Sequence, residues 1–411
     1  MDGTTASSTQ LLRQINSEAL LRFALQEQVF TAGEAMAATG LTRATVLGVC
    51  DGLVDAGWLE EVVDGAGVPA SKGRPARRYQ LREAAGVVVG LDAGESCLTA
   101  LVADLRGRQL GKRRRNIDSH ALGRAGRVAA AQELISRTLS DAGCGASDVL
   151  LTVVGVPAPV DSAGLSPAGG EFWQLMNAGF AKALPGAVSI ENDANLAAVA
   201  EQAQEPSANV ATLLSGERFG AGLIVDGRLL RGRQGGAGEM RFLDVFESSP
   251  GLGDGGSDGL GALARKWARA EIQSYAGTTS LRELSGDAIQ AEDVFQAARG
   301  GDPLAADIIG RLGARLARIA VVLSSLLDIE RVVIAGGISS AIGPVLEHAR
   351  RLLPADTGLP LPALVASTLG ADAVVQGAVE SALIQIRREP LAIFPKAARS
   401  GPRTVQEGPA A

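Results

Sequence analysis

The sequence predicts an α/β protein in two parts: a small α+β winged helix-turn-helix, then a larger α/β domain made of one plan used twice, with a cleft between the halves. Three observations carry this. Residues 31–56 hold two short helices joined by a Gly-containing turn, the helix-turn-helix spacing. Residues 58–81 alternate as a strand, pass through a Gly-rich loop and return as a strand, which makes a wing. A strand–turn–strand–turn–strand pattern then occurs twice, about 120 residues apart, as a comparison of VADLRGRQLGKRR with IVDGRLLRGR shows.

Composition bounds the rest. The chain has 411 residues, enough for two or three domains and a large core. Hydrophobic residues make up 46% and charged residues 20%, the balance of a globular protein rather than a disordered one. A net charge of -6 argues against a surface coated in nucleic acid, but it leaves room for one basic module. No apolar run is long enough to span a membrane, and the polar start MDGTTASSTQ lacks the pattern of a signal peptide. Cys50, Cys97 and Cys144 are scattered and odd in number, which suggests free thiols in a reducing cytoplasm. His120 and His348 are the only histidines, and no Cys/His cluster has metal-ligand spacing, so no metal site is expected.

In chain order, Leu11 to Gln26 reads as a helix with Leu12, Ile15, Ala19, Leu20 and Phe23 at helical spacing. Thr31 and Glu34 have the spacing of a capping box for the next helix, which Gly40 ends. Thr42 is a good N-cap for the third, in which Val46, Val49, Leu53 and Val54 point inward and which Gly57 stops. The N-terminal end of that helix presents Thr42, Arg43 and Thr45 where base edges are read. The wing runs from Trp58 to Val63 and back from Arg77 to Leu81. Its tip and return carry Lys72, Gly73, Arg74, Arg77 and Arg78, whose four cationic side chains suit phosphates and a narrow minor groove. Residues 1–82 are thus expected to bind double-stranded DNA.

Residues 83–395 form the larger domain, expected to bind an effector and to oligomerise, and 396–411 a disordered tail. Strands are expected at Gly86–Asp92, Leu98–Asp104 and Gln109–Asn116, and again at Val210–Leu214, Gly222–Val225 and Leu229–Arg231. Asp302 and Pro303 start a long helix, with Ile308, Ile309, Leu312, Leu316, Ile319, Leu323 and Leu326 as its buried face. It leads into a strand at Arg331–Ala335, and the last helix runs from Ala371 to Arg387.

Function is decided at Ser189–Glu201, SIENDANLAAVAE. A buried strand ends here and a helix begins, the edge at which open α/β sheets bind ligands. A carboxylate at Asp193 can take a proton from a hydroxyl, and the amide of Asn192 can bond a neighbouring one. The plain alternative is that Asp193 only caps the helix.

At this point the residues resemble a family. GRPAR (Gly73–Arg77), LDAGES (Leu91–Ser96), VGVPAPVD (Val154–Asp161), ENDAN (Glu191–Asn195), GGAGEM (Gly235–Met240) and AGGIS (Ala335–Ser339) occur in the order of the ROK family of sugar kinases and sugar-responsive repressors. The resemblance implies an actin/hexokinase-like fold, a duplicated ribonuclease H-like domain behind the winged helix-turn-helix of the repressor branch. It implies sugar ligation by Asn192, Asp193 and Glu239, and at least a homodimer or homotetramer on a palindromic operator. In the family's kinases the residue matching Asp193 is the catalytic base. Here the second phosphate loop reads Gly216-Glu217-Arg218-Phe219-Gly220 and the first carries Glu95. Carboxylates repel a polyphosphate. The histidine that would follow Glu239 is Phe242, and Ser248–Gly261 lacks the family's zinc-site cysteines. The expectation is therefore no cofactor and no enzyme activity: a repressor-type regulator of carbohydrate-related genes with a sugar-like effector. The alternatives are a sugar kinase with a fused DNA-binding domain and a ligand-independent regulator that answers to a protein partner.

Overall fold

The computed structural model describes residues 3–62, 76–82, 85–240, 258–284, 288–354 and 361–393. The N-terminal module comprises α1 (Gly3–Ala24), β1 (Phe30–Thr31), α2 (Ala32–Thr39), α3 (Arg43–Asp55), β2 (Leu59–Val62) and β3 (Arg78–Leu81), its strands in the order β1-β3-β2. Local chemistry sets its helix starts. Thr31 and Glu34 form a reciprocal capping box, and Thr42 caps α3 by accepting from the Thr45 N–H. Gly40 ends α2 at φ 71°, a left-handed turn that suits glycine. Leu20, Leu21, Phe30, Val46, Cys50, Leu53 and Tyr79 fill the core, while Val49 and Val54 are only half-buried.

Helix α1 departs from expectation. It begins at Gly3 rather than Leu11, and Leu12 and Ile15 are 60% and 52% exposed. Periodicity reports an apolar stripe, but the small module reaches only the C-terminal part of it, from Leu20 on.

The body repeats one topology. β4 (Val87–Ala93), β5 (Cys97–Asp104) and β6 (Gln109–Asn116) form an antiparallel meander, α4 (Ser119–Asp141) follows, and β7 (Val149–Val156) pairs parallel to β4. After α5 (Glu171–Met176), β8 (Ala187–Asn192) completes a sheet of order β6-β5-β4-β7-β8. α6 (Asp193–Gln204) leads to the second unit, β9 (Val210–Ser215), β10 (Phe219–Val225) and β11 (Arg228–Leu230). Then come α7 (Leu260–Glu271), α8 (Ala291–Arg299), α9 (Pro303–Leu327), β12 (Arg331–Ala335), α10 (Gly343–Leu352) and β13 (Ala363–Ala366), giving the matching order β11-β10-β9-β12-β13. β7 and β12 are covered on both faces, so every residue in them is buried and they read as continuous apolar runs. The long helix α9 starts on Asp302 as expected, but Leu326 at its far end is 74% exposed while Leu323 and Leu327 pack on the core.

α11 (Ala373–Arg388) packs on β4 and β7, α6 packs on β9 and β10, and the two helices pack on each other. They form the layer between the sheets. The last described element is the short α12 (Pro390–Ile393), which lies against α1. Arg106, in the β5–β6 turn, donates to the carbonyls of Glu27 and Gln28, and Arg22 donates to that of Arg388. The module is thereby seated on the first lobe.

Candidate functional site

The start of α6 bears on the cap reading of Asp193. Asn192 has extended backbone angles and its side chain accepts from the Asn195 N–H at 3.0 Å, so Asn192 is the cap. Its amide also donates to the Ala158 carbonyl at 3.1 Å. Asp193 is the first helical residue. Its carboxylate accepts the Ala194 N–H at 2.8 Å and lines a cleft of about 400 Å3.

Asp92, at the end of β4, lines the same cleft. Burial raises Asp193 to about 8, with the Asp92 and Glu239 carboxylates adding to the rise. Burial raises Asp92 to about 7, against the pull of Arg114 and Arg127. The structure thus brings Asp193 and Glu239 together, as the sequence expected, and adds Asp92. The signal for Asp92 was available: it lies at the end of an apolar strand, two residues before Gly94, as Asp193 directly follows the end of another.

Behind Asp193, the buried Glu191 accepts from Asn195 at 2.9 Å and from Arg231 at 2.7 Å. Arg231 follows β11, so this ion pair joins the two lobes. The neighbouring strand edge is held from within by Arg127. Its buried guanidinium donates to the carbonyls of Ala93 and Gly94 and to the Ser119 hydroxyl, and that hydroxyl in turn bonds the Glu95 carbonyl. Nothing in the spacing of the sequence pointed to Arg127.

Across the cleft, the two acidic groups expected to repel a polyphosphate are both paired. Glu217 bonds Arg265. Glu95 lies 3.4 Å from Arg218, whose guanidinium also stacks 3.5 Å from the Phe172 ring centre. Arg218 belongs to the second lobe, Glu95 and Phe172 to the first, so one side chain closes the cleft mouth by charge and by cation–π attraction. Among the described residues no group of three His, Cys, Asp or Glu side chains could hold a metal ion. Phe242 and the rest of 241–257 lie outside the described residues.

On the module, Thr42 and Arg43 are exposed at the start of α3, and Thr45 is half-buried with its hydroxyl 2.9 Å from that of Thr42. Arg78 is exposed on β3. Arg77 is engaged within the module: it pairs with Asp51 of α3 at 2.9 Å and with Glu61 of β2 at 3.0 Å, and lies over the Tyr79 ring. It ties β2 and the start of β3 to α3. Lys72, Gly73 and Arg74 lie outside the described residues.

The family model described as "ROK family" matches residues 88–384. A crystal structure of a ROK family transcriptional regulator, a homologue of the E. coli MLC protein, superposes with a TM-score of 0.68 at 24% identity, covering 90% of this chain and 96% of that one. At that identity the likeness shows the fold. A ROK family glucokinase from Streptomyces griseus, in complex with glucose and AMPPNP, gives 0.56 at 26% identity and covers 72% of this chain and 99% of that one. The bifunctional enzyme NanE/NanK of Brucella suis is 32% identical over 204 residues, 49% of this chain and 35% of that protein. A glucokinase of Halalkalibacterium halodurans is 31% identical over 176 residues, 39% of this chain. The matches span 35% and 53% of these two relatives' own lengths. No helix among the described residues is long and apolar enough to cross a membrane.

Proposed function

The chain belongs to the ROK family, and from that premise we propose that it is a DNA-binding transcriptional regulator of carbohydrate-related genes, a repressor whose effector is a sugar or sugar derivative held in the cleft. The observation that carries this is the module itself: a capped recognition helix with Thr42 and Arg43 exposed at its start, braced to its wing by Arg77 and seated on the ROK body through Arg22 and Arg106.

In this reading α3 enters the major groove with Arg43 and Thr45 toward base edges, while the wing follows the backbone through the cations Lys72, Arg74 and Arg78 and the N–H of Gly73. Arg77 sets the angle between helix and wing. At neutral pH Asp193 is mostly protonated, with a pKa of about 8, and donates to a sugar hydroxyl. Asn192 and Glu239 bind neighbouring hydroxyls. Effector binding shifts the operator affinity only by its preference for one cleft state, about 1.4 kcal/mol per tenfold change. Two protomers, or four, present paired recognition helices to a palindromic operator.

The other reading is a sugar kinase with a fused DNA-binding domain. Two acidic groups near neutral pKa, Asp92 and Asp193, and relatives that are kinases favour it. The phosphate side opposes it, because Arg218 there is tied to Glu95 and Phe172. Genomic footprinting with the full chain, beside a sugar-dependent ATP-consumption assay, separates them. Discrete protected sites without ATP consumption support the regulator. Turnover without protected sites supports the kinase.

A further inference from the structure

We propose that α11 transmits the state of the cleft to the DNA-binding module, with its backbone contact to α6 at Gly377 as the pivot; this rests on the regulator reading above.

The cleft end of α11 touches both acidic strand edges. Val374 lines the cleft with Asp92 and Asp193. Three residues on, Gly377 lies against the Leu196 backbone so closely that a methyl group there would overlap the Leu196 carbonyl. Leu196 is one helical turn from Asp193. On β4, a Cβ at Gly90 would stand 2.6 Å from the Val375 carbonyl, and Gly90 is two residues from Asp92. Each cleft carboxylate is therefore a short, stiff step from backbone contact with α11, with no side chain between to absorb a shift.

The helix then runs buried through Ala378, Val379, Ala382, Leu383 and Ile386, which share one core with Leu20 and Leu21 of α1 and with Leu25 just after it. Sixteen residues span roughly 24 Å. At its far end the Arg388 carbonyl accepts from Arg22 of α1, and the β5–β6 turn beneath Leu383 holds the loop after α1, at Glu27 and Gln28, through Arg106. Packed helices shift as rigid bodies by an ångström or so. A displacement of α6 or β4 at the cleft thus moves the seat of α1, and with it α3.

The test uses hydrogen exchange on the full chain and needs neither DNA nor effector. Gly377→Ala wedges α6 from α11, and amides of residues 20–31 should exchange at least about fivefold faster. Gly259→Ala makes a comparable backbone overlap, against the Gly216 carbonyl on the opposite cleft wall, and should leave residues 20–31 within about twofold of wild type. Unchanged module exchange in Gly377→Ala overturns the proposal, and so does equal acceleration by Gly259→Ala. If Gly377→Ala fails to fold, the double variant Arg22→Ala/Arg106→Ala decides. It loosens the far end at the surface, and residues 374–378 should then exchange at least about threefold faster. No change there overturns the proposal. A negative result would leave the regulator reading standing, since that reading is tested by footprinting.

Discussion

Replacing Asp193 by Asn should stabilise the protein at alkaline pH and flatten its pH dependence. The Asp193 carboxyl is raised from 3.8 to about 8 by burial and by Asp92 and Glu239. Between those values the folded protein keeps a proton that the unfolded chain has released, so stability falls as pH rises through this window and levels off above about 8. Asp92 acts in the same sense up to about 7. A shift of four units corresponds to a ceiling of about 6 kcal/mol. Water in the open cleft lowers it, and a gain of about 2–3 kcal/mol for Asp193→Asn at pH 8.5, near zero at pH 4.5, is expected. The substitution keeps the helix start, because the cap is Asn192 and an Asn oxygen can still accept the Ala194 N–H. Urea unfolding of both proteins at fixed concentration, read by tryptophan emission at pH 4.5, 6, 7 and 8.5, measures the difference. Glu34, Glu133 and Asp141 are lowered by their hydrogen bonds and act only at the acid end, so they do not confuse the window. Parallel profiles for the two proteins from pH 5.5 to 8.5 would refute the reasoning, since Asp193 would then be ionised at neutral pH.

Three further outcomes are expected. Arg43→Ala should relax base preference at one operator position by about 1–3 kcal/mol, and a panel of single-base operator variants would show it; loss of affinity uniform across the panel would assign Arg43 to phosphate instead. Arg77→Ala should lower module stability by about 1 kcal/mol, as two part-exposed ion pairs and a ring contact are lost, and weaken binding to all sequences alike; a change in preference at one base would contradict the bracing role. Arg218→Ala should open the cleft mouth, removing about 1–2 kcal/mol of cross-lobe attraction, and small-angle scattering should show a larger radius of gyration. An unchanged radius would mean that the lobes stay closed without Arg218.

The boundaries that the sequence located best are those made by residues within one turn of each other. Thr31 with Glu34, Thr42, and Asp302 before Pro303 cap the helices expected of them, because a cap hydrogen bond reaches only two or three residues. The duplicated sheet was legible for a similar reason: alternating and continuous apolar runs record one- and two-sided burial. The edge at Asn192–Asp193 was located, but not which of the two would cap, since both types cap well and the helix start is uncertain by a residue.

What tertiary structure alone decided lies farther apart in the chain. Leu12, Ile15 and Leu326 belong to apolar stripes yet are exposed, because burial depends on whether a partner reaches them. Asp92 meets Asp193, Arg218 reaches Glu95 and Phe172, and Arg231 reaches Glu191 only once the lobes face each other. Arg127 and Gly377 carry no motif. One holds the strand edge because the carbonyls of Ala93 and Gly94 come to it, and the other brings two helix backbones into contact because Leu196 lies there. Local hydrogen bonding and periodicity are written in neighbouring residues; pairing across the cleft depends on where distant strands and helices end in space.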